Sequence, residues 1–96
     1  MPHIEEHTNR EEDGIPVERV QLGVRMEKRM VKVLKGLAEY HDLSLGDLLE
    51  GIVLHAFENK TPFREETLQR IAQLKDVYGM TYGASASHHF IEQNQE

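Results

Sequence analysis

The 96-residue chain has no cysteine and no tryptophan, three prolines, and only 6% aromatic residues. Without cysteine there is no disulfide, no thiolate metal site and no thiol nucleophile, in keeping with a reducing compartment. No run approaches the roughly 18 to 20 apolar residues that span a bilayer. The opening stretch MPHIEEHTNREEDG also lacks the apolar segment of a secretory signal. A cytoplasmic protein with no membrane partner is expected. Charged residues make up 29% of this short chain, which leaves little material for a core, so a second chain is expected to complete it.

Other absences narrow the chemistry. There is no Gly-rich phosphate loop and no HExxH, and the paired carboxylates Glu5/Glu6 and Glu11/Glu12 lie in a polar stretch rather than a pocket. Catalysis is not expected. The six histidines are poorly spaced for a metal. His3 and His7 stand four apart without a helical signal, His88 and His89 are adjacent, His41 suits a helix end, and His55 suits a surface or interface. No metal or other cofactor is expected.

Positive charge is scarce overall, with a net of −6, but it is unevenly placed. Residues 1–15 carry Glu5, Glu6, Glu11, Glu12 and Asp13 against Arg10, a balance of −4. Between Arg19 and Lys35 there are six cations (Arg19, Arg25, Lys28, Arg29, Lys32 and Lys35) and one anion, Glu27, a balance of +5. Affinity for nucleic acid comes largely from Lys and Arg meeting phosphates. The net charge argues against a polyanionic partner, and the local cluster argues for one.

Hydrophobic patterning divides the chain into four. Residues 1–15 read as a flexible acidic arm. Residues 16–60 hold an alternating run and two helical runs. Val20, Leu22, Val24 and Met26 alternate with Gln21, Gly23 and Arg25, the signature of a strand with one buried face. No second β-run follows, and a lone strand is not stable in water, so its partner is expected to be its own copy in another chain. From Glu27 the period becomes helical, with Met30, Val33, Leu34, Leu37 and Ala38 on one stripe. Tyr40 to Leu43 interrupt it. Ser44, followed three residues later by Asp47, resembles a capping box opening a second helix. That helix carries Leu45, Leu48, Leu49, Ile52, Val53, Ala56 and Phe57, with Leu54 widening the apolar arc. Residues 61–79 read as a third helix, with Thr61 as N-cap, Pro62 in first position, Glu65 and Glu66 at the positive end, and closure near Gly79. Residues 80–96 read as a flexible tail.

The order RVQLGVRM, EKRMVKVLKGLAEYHDLS, LGDLLEGIVLHAFE resembles the ribbon-helix-helix family of Arc-type and MetJ-type repressors over roughly residues 18 to 58. The resemblance implies a mainly α fold: a homodimer in which one strand per subunit pairs into an antiparallel ribbon, here with a third, C-terminal helix. It further implies a transcriptional regulator that inserts the ribbon into the major groove of double-stranded DNA. By position, Gln21, Gly23 and Arg25 would face the bases. Gln suits adenine and Arg suits guanine, whereas Gly23 has no side chain to read with. Val20, Leu22, Val24 and Met26, with Leu34, Leu37, Leu48, Leu49, Ile52 and Val53, would form the dimer core. Phosphate contacts would come from Ser44, Leu45 and Gly46 at the start of the second helix, and from Arg19, Lys28 and Arg29.

Each assignment has a plainer alternative. Gln21 and Arg25 can be the solvated face of a half-buried strand, Arg19 an ordinary surface cation, and Ser44 simply a cap. Lys32 and Lys35 read better as the solvated side of the first helix. A rival function is a protein-interaction module, as in ribbon-helix-helix antitoxins, whose third helix and tail hold a partner protein.

Overall fold

A computed structural model describes residues 14–93. All but Gly14 and Ile15 of the acidic arm lie outside them. The described chain is mainly helical: α1 spans Lys28–Tyr40, α2 Leu45–Phe57 and α3 Glu65–Tyr78, with a 3-10 turn at Ala84–Ala86.

The expected ribbon-helix-helix architecture is overturned at its first element. The described residues contain no strand and no sheet, and Val20 to Met26 belong to an extended run without secondary structure. The physical reason is pairing. A strand exists through hydrogen bonds to a neighbour, and no other segment among the described residues offers an edge to residues 20–26. Alternation of apolar residues registers the side-chain period alone.

Helix boundaries follow local chemistry. α1 begins after Glu27, whose carboxylate caps the first turn, and ends at His41. Asp42 adopts a left-handed φ of 57°. This lets the Leu43 N–H reach the Ala38 carbonyl at 2.9 Å and the Asp42 N–H reach that of Glu39 at 3.1 Å, the paired bonds of a Schellman closure. α2 starts behind Ser44, whose Oγ accepts the Asp47 N–H at 3.1 Å, and closes in the same way through Asn59. α3 ends at Gly79, with φ of 70°.

The start of α3 corrects the sequence expectation. Its N-cap is Arg64, without a side-chain bond, so the helix opens later than Thr61 and Pro62 signalled. Phe63 packs against the core, and drawing that ring inward keeps the preceding residues out of helical geometry. Glu65 and Glu66 do occupy the first turn, where the helix dipole favours them.

Val33, Leu37, Ala38 and Leu48 are buried. Leu34, Ile52, Phe63, Ile71 and Leu74 pack around Leu37, Ala38 and Leu48. Leu34, Leu37, Leu48 and Ile52, expected in a dimer core, thus face the interior of a single chain. The third helix supplies the difference, because Ile71 and Leu74 cover a stripe that two helices alone would leave open.

α3 runs antiparallel along α1 in a regular register. Arg70 lies over the Tyr40 ring at 4.3 Å, Lys32 lies over Tyr78 at 5.7 Å, and beyond the helix end Arg29 lies over Tyr82 at 5.5 Å. Between these pairs sits Gly36, where an added Cβ would come within 3.0 Å of Leu74 Cδ2. All three tyrosines of the chain therefore lie beneath a cation along one seam. No helix among the described residues is long and apolar enough to cross a membrane.

Candidate nucleic-acid interface

The extended segment from Gly14 to Met26 leaves its side chains in water. Gln21, Gly23 and Arg25 are exposed, and so are the apolar residues between them: Val20 is 79%, Leu22 69% and Val24 64% exposed, whereas Met26 at 39% begins to turn inward. Within one chain nothing distinguishes an inner from an outer face here, so the expected burial of Val20, Leu22, Val24 and Met26 is not met in the monomer. Gly23 has open space around it, with nothing within 4 Å of where a Cβ would stand.

The segment runs beside the start of α2. Glu18, Arg19, Val20 and Leu22 share a shallow cleft with Ser44, Gly46, Asp47 and Glu50. This brings together residues placed on separate elements by sequence reasoning, namely the extended run and the first turn of the second helix. Leu45 and Gly46 carry N–H groups that have no intrahelical acceptor at this end of a helix. Ser44 accepts a bond from Asp47 and keeps its hydroxyl proton to donate. The same cleft holds three carboxylates, which oppose the approach of a phosphate.

Arg19 is not an idle surface cation. Its Nη2 and Nε meet the two carboxylate oxygens of Glu50 at 2.9 and 3.2 Å. This forked pair raises the Arg19 pKa, and hydrogen bonding from Arg19 lowers that of Glu50. Both groups are well exposed, so the pair adds little stability.

Arg29 is engaged inward. Its Nε bonds Glu27 Oε2 at 3.0 Å, its Nη1 bonds the Gly79 carbonyl at 3.2 Å, and its guanidinium covers the Tyr82 ring. Glu27 accepts the N–H groups of Arg29 and Met30 at 3.1 and 3.2 Å and the Tyr82 hydroxyl at 2.5 Å. The Tyr82 hydrogen bond, followed by those from Arg29 and Met30 against an opposing desolvation, pulls the Glu27 carboxyl down to about 2. Burial, then the bond to Glu27, pushes the Tyr82 hydroxyl up to about 12.

Of the cation cluster, Arg25, Lys28 and Lys35 remain exposed at the outer side of the segment and α1. Among the described residues none of them forms an ion pair. On α2, Val53, Leu54 and Phe57 are exposed, whereas Leu49 is half-buried.

Sequence reasoning did not find the Glu27–Tyr82–Arg29 cluster or the Glu50 partner of Arg19. An acidic residue just ahead of a basic helix was the available sign of the Glu27 cap. Nothing in the tail signalled Tyr82. No group of three or more His, Asp or Glu side chains among the described residues is arranged to hold a metal ion. Comparison of the chain with models of protein families, with curated proteins and with solved structures found no match.

Proposed function

We propose that this chain is a homodimeric, sequence-specific DNA-binding regulator of transcription, a repressor, that reads bases with Gln21 and Arg25. The observation that carries the reading is the exposed extended segment ahead of α1. It exposes a bidentate adenine reader, Gln21, and a bidentate guanine reader, Arg25, with the exposed cation Lys28 following them at the start of α1. Lys28 and the first turn of α2, through Ser44, Leu45 and Gly46, are the phosphate contacts. Arg19 and Arg29 have a smaller part, because each is already satisfied by a carboxylate.

A second copy completes the molecule. Val20, Leu22 and Val24 of the segment and Val53, Leu54 and Phe57 of α2 are 43% to 80% exposed, apolar surface of the kind that a second chain covers. Such a surface is costly on an isolated small protein.

The test is selection of duplexes from a random pool by the full chain, followed by titration at rising salt. Enrichment of a common sequence, with affinity falling steeply as salt rises, supports the reading. Absence of any salt-dependent duplex binding contradicts it. That result, together with capture of a protein lost on replacing the exposed α3 residues Leu68 and Val77, would instead support the interaction-module reading.

A further inference from the structure

Glu27 stands where three parts of the chain meet. It is the last residue of the extended segment, it caps the first turn of α1, and it receives the hydroxyl of a tyrosine 55 positions later. Its backbone is extended, with φ −61° and ψ 137°, and these two angles set the direction in which residues 14–26 leave the helix. A carboxylate with three hydrogen bonds on one oxygen and a guanidinium on the other cannot rotate without breaking several of them. Tyr82 is in turn held by Arg29 over its ring and by Phe90, edge-on at 5.0 Å. The Gly79 carbonyl anchors Arg29 at the end of α3.

We propose that Tyr82 and Glu27 are positioning residues: a latch through which the segment after α3 fixes the angle between the extended segment and α1. Arg25 lies two residues before the latched cap and Gln21 six. A rotation at Glu27 displaces both readers, whereas Lys28 and the start of α2 stay on the helical body. The latch therefore governs base reading and leaves phosphate binding alone. In its consequence for DNA this inference rests on the function proposed above, and its geometric part is independent of it.

The Tyr82→Phe variant removes one oxygen and keeps the ring under Arg29 and against Phe90. The chain has no cysteine, so spin labels can be placed cleanly through Gly23→Cys and Lys35→Cys, with labelled protein diluted into unlabelled. The expected result is a narrow distance distribution in the otherwise wild-type chain and a broad or shifted one with Tyr82→Phe. An unchanged distribution overturns the latch, whatever the protein does with DNA. In the second arm, Tyr82→Phe weakens binding to the selected duplex about tenfold, the scale of one charge-assisted hydrogen bond, while affinity for a scrambled duplex is kept. Equal loss on both duplexes overturns the positioning role. A broadened distance in a protein that binds no duplex at all would uphold the latch and remove the DNA reading.

Discussion

At the scale of single residues, the firmest contacts join the start of α1 to Tyr82 rather than to any candidate reader. Glu27 has its folded value near 2 against an ordinary 4.5. Its contribution is thus fully present above about pH 4.5 and is lost as pH falls from there towards 2. Tyr82 gives the complementary limb: its value is raised from 10 to about 12, so its contribution is present below pH 10 and fades as pH rises through 10 towards 12. The acid limb reports the Tyr82–Glu27 hydrogen bond first, the alkaline limb the burial of the Tyr82 hydroxyl and then that bond. Because the Glu27 side chain is 21% exposed, screening reduces the contribution to about 2 kcal/mol. Urea denaturation at pH 6 and pH 3 checks this. Wild type is expected to lose more stability between those values than Glu27→Gln, and equal losses would rule the pH effect out.

Among secondary elements, the α1–α3 seam decides the fold of the monomer. Leu37 is 2% exposed, and Leu37→Ala is expected to cost about 2–5 kcal/mol, read as a fall in the denaturation midpoint. Gly36 is a finer probe. An alanine Cβ there presses on the end of the Leu74 side chain, which can shift, so Gly36→Ala stays close to wild type. Gly36→Leu pushes α3 away and costs roughly 1–3 kcal/mol. If Gly36→Leu were as stable as wild type by thermal denaturation, close approach of the two helices would not be needed.

The three helices were legible because their apolar stripes recur every three or four residues, as at Val33, Leu37 and Ala38 or at Ile71 and Leu74. The left-handed ends at Asp42 and Asn59 were not, since many polar residues precede loops without closing a helix. The strand over Val20 to Met26 was misread for a different reason. Alternation gives side-chain spacing, but a strand needs a hydrogen-bonding neighbour, and that is a property of the assembly of segments. The extended segment and the first turn of the second helix, named separately as contact residues, do lie beside one another. Arg19 and Arg29 lost their simple reading because Glu50 and Tyr82 are 31 and 53 residues away from them, beyond the reach of local patterns.

For the whole molecule, the exposed apolar residues of the segment and α2 are the surface that a second copy would cover. Phe57 is 80% exposed in the single chain, so Phe57→Glu would change monomer stability by no more than about 0.5 kcal/mol. In a dimer built on that surface it is expected to convert dimer to monomer in sedimentation, with helix content unchanged by circular dichroism. A wild-type chain that sediments as a monomer at all concentrations would remove the second copy.

Base reading is tested most directly by titrating wild type and the Gln21→Ala/Arg25→Ala variant against the duplex enriched by the wild-type chain, beside a scrambled duplex. The expected loss on the enriched duplex is about 1–3 kcal/mol for each reader per copy, with little change on the scrambled one beyond the missing Arg25 charge. Equal affinity of the two proteins for the enriched duplex would contradict the assignment of Gln21 and Arg25 as base readers.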